Sequence, residues 1–292
     1  MTFKNSVLVL GSSGLLGSEL VSGQYLKEYK IISQSKKSLT DYNVDLQDFD
    51  QVYKMLDKVR PDIIINLVGL TDVDHCEKFP IKAYNLNVKT VENLVNAIQK
   101  YSFNSFLVQV STDQVYDSEG LCSEKNINLS NYYAFSKYCG ELIAAQTNSV
   151  ILRTNFFGKS KVLSRNSLTD WLYRELAEGN DIKVFEDVWF NPLSIYNLCK
   201  MIELVVEKKI NGVFNLGSNH AMNKAEFAFH FAKELKLSTS KIKKISVSSA
   251  KFLHAYRPKN MSMNLTKFEK NYNIKLPKLI EEIELTAKEY IK

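Results

Sequence analysis

The chain reads as a doubly wound α/β protein, on three observations. Short apolar, β-branched runs alternate with helix-spaced segments through the first half. The runs "SVLVL", "DIIINLVG" and "FLVQV" lack polar alternation, so each strand is expected to be buried on both faces, as in a parallel sheet. Gly11, Gly14 and Gly17 stand directly after the first run, where a helical segment opens. A strand, a glycine turn and a helix in that order begin a parallel crossover.

The elements follow in order. Ser6 to Leu10 is the first strand, followed by a helical segment through Leu26. "KIIS" begins the second strand, and "NVDLQ" follows the third. "FDQVYKMLDKV" is helical, and "DIIINLVG" after Pro61 is the fourth strand. Val88, Val91, Leu94, Val95 and Ile98 recur at helical spacing, "FLVQV" (Phe106 to Val110) is the fifth strand, and "SVILRT" is another. Beyond Phe157 a helix is expected from about Ser167 to Glu178, with Leu168, Trp171 and Leu172 on one face. "DIKVF" and "GVFNLG" read as strands, with helices near Leu193–Val206, Lys224–Leu237 and Leu279–Tyr290. These pieces predict a smaller C-terminal α/β lobe, interleaved with the last strand of the first sheet. The boundary is expected near residue 158, dividing a nucleotide-binding domain, 1–158, from a substrate lobe, 159–292.

With 292 residues, 45% hydrophobic and 24% charged, the chain can bury a large core and is not disordered in character. The net charge of +6 suits a small anionic substrate and makes no case for nucleic acid. Cys76, Cys122, Cys139 and Cys199 form no CxxC pair, so no metal site is expected, and scattered thiols fit a reducing cytoplasm. The apolar run in "MTFKNSVLVLGSSG" is too short for a membrane span and lacks a secretory pattern. A cytoplasmic protein with no membrane partner is expected.

The glycines of "VLVLGSSGLLG" answer three steric needs of a nucleotide-binding turn. The first takes permissive backbone angles, the second allows close backbone approach, and the third packs the helix on the strand. The turn brings a diphosphate to a helix N-terminus, where unpaired N–H groups and the macrodipole favour negative charge. Ser13, Leu15 and Leu16 complete this Rossmann-type cofactor turn. The GxxGxxG spacing resembles the extended branch of the short-chain dehydrogenase/reductase superfamily, which acts on nucleotide sugars. That resemblance implies a hydroxyl residue after "FLVQV" and a YxxxK pair on a following helix, and both are present.

In "VSTDQVYD", Thr112 falls at the family's catalytic hydroxyl position, and Ser111 reads as its structural neighbour. "NYYAFSKYCGE" holds Tyr132, Tyr133 and Tyr138, of which only Tyr133 precedes Lys137 by four residues. On a helix that spacing puts both side chains on one face, with Tyr132 turned away by about 100°. A phenol of pKa near ~10 exchanges protons poorly at neutral pH, and a nearby ammonium lowers that value. The resemblance implies Thr112, Tyr133 and Lys137 as catalytic residues, with Lys137 also meeting the nicotinamide ribose. Glu141, one turn beyond Lys137, either pairs with it or faces solvent.

By the same resemblance, Asp45 and Leu46 match an adenine-contacting pair, Asn66, Leu67, Val68 and Gly69 lie along the cofactor, and Asn87 matches a recurrent asparagine. His75 and Cys76 read as ordinary loop residues. The second strand ends "IISQSKKS", without the Asp or Glu that would accept the adenosine ribose hydroxyls of NAD. Ser35, Lys36 and Lys37 suit a 2′-phosphate instead, so NADP(H) is expected ahead of NAD(H).

Within the extended branch the chain resembles the dTDP-4-dehydrorhamnose reductase family. The likeness runs through "RPDIIINLVG", "TDVDHCE", "AYNLNV", "VSTDQVYD", "YYAFSKYCGE" and "VILRTNFFG", and more loosely through "FEDVWFNPLSI", "GVFNLGS" and "RPKNMSMNLTKF". It implies NADPH-dependent reduction of a nucleotide-diphosphate 4-keto-6-deoxysugar for surface polysaccharide synthesis, with Tyr133 donating the proton. Thr112, Asp113, Asn155, Trp189, Asn191 and Arg257 are the expected substrate contacts. Arg257 suits phosphate because its planar fork binds oxygens in pairs, while the rest of the basic stretch Ser238 to Lys267 reads as solvated surface. Related 4,6-dehydratases carry a Glu where this chain has Gln114, and an amide cannot act as the base. A UDP-galactose-type epimerase and a non-catalytic regulatory subunit, like that of methionine adenosyltransferase, share the scaffold, and a homodimer is allowed.

Overall fold

The computed structural model describes residues 5–101, 103–162 and 165–291. Ser6–Leu10 (β1), Lys30–Ser35 (β2), Tyr42–Asn43 (β3), Ile63–Asn66 (β4), Phe106–Thr112 (β5) and Ser149–Thr154 (β6) join the strand Gly212–Leu216 in one seven-stranded sheet. The order is Gly212–Leu216, β6, β5, β4, β1, β2, β3. β1 pairs in parallel with β2 and β4, β2 with β3, and β4 with β5. Successive strands therefore run outward to opposite sides of β1, so β1 and β4 flank a switch point. Ligands of such sheets bind beyond the strand carboxyl ends at that point. The unalternating runs are buried on both faces, as their composition requires: β4, β5 and β6 hold no exposed residue.

The chain groups into two compact units. The first comprises 1–112, 131–153 and 199–214, and the second 113–130, 154–198 and 215–292. The sequence expects a division near residue 158, with the C-terminal lobe interleaved with the last strand of the first sheet. The units are discontinuous because the chain leaves the sheet after β5, leaves it again after β6, and returns for Gly212–Leu216.

In the first unit, Leu15–Leu20 (α1), Phe49–Val59 (α2), Val73–Lys78 (α3), Pro80–Tyr84 (α4), Thr90–Lys100 (α5) and Tyr132–Ala144 (α6) flank the sheet. Leu8, Leu10, Val52, Leu56, Ile64, Leu94 and Leu107 form its core. α1 stops at Leu20 rather than reaching Leu26. Gly23 and Leu26 both adopt left-handed angles (φ 83° and 52°), which a right-handed helix cannot contain. The helical periodicity around Val88 resolves into a π-turn, Asn85–Lys89, that leads directly into α5.

The second unit has its own core, in which Phe157, Leu172, Phe190, Phe227, Phe231 and Ile283 are buried and Trp171 packs at the edge. Phe157 and Phe227 meet edge to face at 4.8 Å, a favoured aromatic geometry. Leu168–Ala177 (α7) opens on a reciprocal cap between Ser167 and Asp170. The helix expected from Leu193 begins at Ile195 (α8, Ile195–Lys208), because Leu193 and Ser194 pair in parallel with Phe156 and Phe157. Lys224–Glu234 (α9), Thr266–Tyr272 (α10) and Leu279–Ile291 (α11) follow. Among the described residues, no helix is long and apolar enough to cross a membrane.

Candidate functional site

The glycine turn lies at the carboxyl end of β1. Gly11 adopts a left-handed φ of 77°, and a Cβ there would sit 3.0 Å from Val68 Cγ2. At Gly17 a Cβ would stand 2.4 Å from the Gly11 carbonyl oxygen and 2.7 Å from Ser12 Cα, so a side chain would push α1 off the turn. The Gly11 and Ser12 N–H groups each donate to the Gln34 carbonyl at 3.0 Å, which ties the turn to β2. Leu16 is buried and anchors α1, while Ser13, Gly14 and Leu15 are half-buried around the turn. A strand, a glycine turn and a helix packed this closely fit a dinucleotide phosphate.

Beyond β2, Lys36 and Asp45 form an ion pair at 2.6 Å. Burial raises the Asp45 carboxyl, but hydrogen bonds from Lys36 and Gln47 outweigh it and hold the group below the ordinary range. Ser35 is buried and its hydroxyl accepts from Ser38 N–H at 2.9 Å, so it shapes the loop, while Lys36 and Lys37 are exposed. Leu46 is buried, and its carbonyl accepts from Asn93 Nδ2 at 2.9 Å.

A second cluster gathers on α6. Asn131 caps it, its side chain accepting from Ala134 N–H at 2.8 Å, and this start puts Tyr133 in the first turn. The Lys137 ammonium donates to the Val110 carbonyl of β5 at 2.8 Å, two residues before Thr112. Asn87 accepts from Leu70 N–H at 2.7 Å and donates to the Leu70 carbonyl (3.1 Å) and Ser136 Oγ (2.8 Å). A Cβ on Gly69 would meet Asn87 Oδ1 at 3.0 Å and Lys137 Nζ at 3.6 Å, so Gly69, Asn87 and Lys137 converge. Leu67 and Val68 lie half-buried just before them, and Asn66 ties β4 to β5 through Gln109 at 2.8 Å. Thr112 and Tyr133 are both buried, whereas Tyr132 is 46% exposed and its N–H donates to Glu77.

Gly140 escaped sequence reasoning here, and the place of Glu141 was left open by it. A Cβ on Gly140 would sit 2.5 Å from the Asn87 carbonyl oxygen, so Gly140 lets α6 press against the π-turn. Glu141 neither faces solvent nor has Lys137 as its main partner. It is buried, grips Arg153 through contacts of 2.6, 3.0 and 3.1 Å, and accepts from the Ser111 hydroxyl.

Burial lowers Lys137 from the usual lysine value to about 8, against the opposing charge of Glu141. Cys76, also buried, is pushed up to about 11 by burial and by Asp72 and Glu77, so its thiol stays protonated at neutral pH.

In the second unit, Asn155 Nδ2 donates to Asp113 Oδ2 at 2.8 Å. Trp189 is 40% exposed, and its backbone N–H donates to the Lys259 carbonyl at 2.8 Å. Arg257 donates to the Ala255 carbonyl at 2.9 Å. Asn191 is a different case from the expected substrate contact. It is buried, and its amide donates to the Ser218 and Met263 carbonyls and accepts from Met263 N–H, which engages it with backbone. Lys224, unnoticed in the sequence, has its ammonium 5.4 Å from the Phe190 ring centre. Burial lowers its pKa, Asp113 opposes that and the Arg257 charge adds to it. Among the described residues, no three or more His, Cys, Asp or Glu side chains are grouped to hold a metal ion.

The chain is 25% identical to the dTDP-4-dehydrorhamnose reductase of Escherichia coli, over 93% of each chain. It is 26% identical to a probable low-salt glycan biosynthesis reductase of Haloferax volcanii, over 75% of this chain and 76% of that one. The solved dTDP-4-dehydrorhamnose reductase of Bacillus anthracis in complex with NADP is similar at a TM-score of 0.89 and 26% identity, covering 98% of this chain and 100% of that one. Residues 5–291 match the RmlD substrate binding domain family, and with nearly its whole length matched, the chain belongs to that family.

Proposed function

We propose that the chain is an NADP(H)-dependent reductase of a nucleotide-diphosphate 4-keto-6-deoxysugar, serving surface polysaccharide synthesis. The single observation that carries the reading is the anchoring of Lys137 to β5 beside Gly69 and Asn87, with Tyr133 one turn away on the same helix. The relatives named as dTDP-4-dehydrorhamnose reductases support it, as does the NADP complex.

The residues present fit a dinucleotide: Gly11, Gly14 and Gly17 keep side chains out of the phosphate turn, Asp45 and Leu46 flank the adenine end, and Lys36 and Lys37 offer cations for a 2′-phosphate. NADPH, when bound, supplies the hydride. Thr112 orients the sugar carbonyl by donating a hydrogen bond to its oxygen, and Tyr133 delivers a proton to that oxygen as it becomes an alcohol. Lys137, charged at neutral pH, favours the phenolate left behind and thereby eases the transfer. Within the second unit, Asp113 and Asn155 suit sugar hydroxyls, Trp189 offers an exposed ring, and Arg257 suits the diphosphate. Four free thiols, three of them buried, fit a cytoplasmic location.

The test incubates the protein with NADPH or NADH and a panel of nucleotide 4-keto-6-deoxysugars, following absorbance at the reduced nicotinamide band. NADPH consumption matched by sugar alcohol is expected. No turnover with any of them, together with a stable complex with another enzyme, would favour a regulatory protein.

A further inference from the structure

The second unit holds a cavity of about 540 Å³, lined by the loop 117–121, Trp189, Lys259 and Asn260. That volume lies within the range of small-molecule sites, about 300–1,000 Å³. Its walls are tied together. The Asp117 carboxylate accepts from the Lys259 and Asn260 N–H groups at 2.8 and 3.2 Å, and from the Tyr256 hydroxyl at 2.8 Å. The Asn260 amide donates back to the Ser118 and Gly120 carbonyls at 2.6 and 2.7 Å. Backbone bonds fix Trp189 against the same segment: its N–H donates to the Lys259 carbonyl, and its carbonyl accepts from Met261 N–H at 3.0 Å.

What this frame presents to a ligand is largely apolar. The Trp189 side chain is 40% exposed and Leu121 is 61% exposed on the one cavity, while Phe190, next in the strand, is buried in the core. A single exposed apolar residue is ordinary, but an indole and a leucine on one rigid cavity form a platform for a flat ring. Lys259 and Glu119 line the same cavity, offering a donor for a ring carbonyl and an acceptor for a ring N–H. A sugar ring presents hydroxyls all round and would call for further polar partners, yet Asp117 and the Asn260 amide are engaged with the loop itself. Arg257, suited to the diphosphate, stands two residues before Lys259, a reach of about 7 Å along the chain.

We propose that this cavity is the base subsite for the nucleotide part of the substrate. The base stacks on Trp189 beside Leu121, Lys259 donates to a ring carbonyl, and Glu119 accepts from the adjacent ring N–H. Thymine, uracil and guanine offer that pair of groups, and cytosine does not. That the ligand is a nucleotide sugar rests on the reductase reading, whereas base binding itself is measured without turnover.

Trp171 and Trp189 are the two tryptophans of the chain, so Trp171→Phe leaves Trp189 emission as a direct report. The test titrates this variant with thymidine, uridine, guanosine and cytidine diphosphates, with glucose 1-phosphate and with inorganic diphosphate. At least one of the first three should quench Trp189 saturably, at about 10-fold lower concentration than cytidine diphosphate, while the last two leave it unchanged. By calorimetry, Trp189→Ala should weaken that nucleotide about 5- to 100-fold, and Trp189→Phe should recover most of the loss. Glu119→Gln should erase the discrimination against cytidine diphosphate. Emission unmoved by every nucleoside diphosphate, in a protein whose wild type reduces a nucleotide sugar, would overturn the proposal and leave the reductase reading standing. Equal quenching by glucose 1-phosphate would also overturn it, assigning the cavity to a sugar. Base-dependent quenching in a protein that reduces no 4-keto sugar would overturn the reductase reading and leave the base subsite standing.

Discussion

Replacing Gly140 by alanine tests whether the seating of α6 positions the candidate catalytic pair. The new Cβ would stand 2.5 Å from the Asn87 carbonyl oxygen, whereas a relaxed carbon–oxygen contact is about 3.3 Å. The helix must therefore retreat by about 0.8 Å, or the π-turn must give way. The π-turn is held at that point by two hydrogen bonds between the Asn87 side chain and the Leu70 backbone, so most of the movement falls on α6 and stretches its Asn87–Ser136 bond. Overpacking of this kind costs about 1–3 kcal/mol of stability, and misplacing a reacting group by about 1 Å costs on the order of 10²-fold in rate. Gly140→Ala should fold, lose a few degrees in Tm, and lose about 10²-fold in kcat. Measurements of kcat, cofactor affinity by fluorescence and Tm separate these effects. Leu56→Ala is the control: it cuts stability by about 2–5 kcal/mol from α2 and should leave kcat of the folded protein near wild type. Wild-type kcat in Gly140→Ala, at a Tm that is also unchanged, would refute the claim that this contact sets the helix.

Three further predictions follow from the same geometry. Tyr133→Phe should lower kcat by about 10²–10⁴-fold with little change in cofactor affinity, whereas Tyr132→Phe, at an exposed position, should be near neutral by the same assay. Lys36→Ala should weaken NADPH about 5-fold and leave NADH unchanged, measured by fluorescence titration. The folded protein releases the Lys137 proton near 8 and the unfolded chain near the usual 10.5, so between these values the unfolded state binds more protons and this group makes stability rise with pH. Lys137→Met should remove that rise, about 3 kcal/mol across the window, when denaturant melts are compared between pH 8 and 10.5.

Much of the first unit was legible because its strands are unbroken apolar runs and its chemistry falls at fixed spacings. Gly11 to Gly17 and Tyr133 to Lys137 are local patterns, and a helix or turn converts them directly into geometry. Features set by distant partners were not legible. The fate of Glu141 depends on Arg153 and Ser111, which approach it from neighbouring strands. Gly140 looks like a mid-helix weakness until the π-turn is placed against it. Asn191 resembles a ligand residue by type and position, yet its amide closes backbone groups from two separate segments. Lys224 carries no local signal, since its surroundings come from Phe190, Asp113 and Arg257. α1 stopped early for a reason its periodicity could not reveal, the left-handed backbone at Gly23 and Leu26.

The most direct test of the reductase assignment is the fate of a labelled hydride. Incubation with NADPH carrying deuterium at both nicotinamide C4 positions and a nucleotide 4-keto-6-deoxysugar is predicted to give a sugar alcohol carrying deuterium at C4, in step with NADPH consumed, and only in protein with Tyr133 intact. Unlabelled product, or a sugar changed in configuration without net consumption of NADPH, would contradict it.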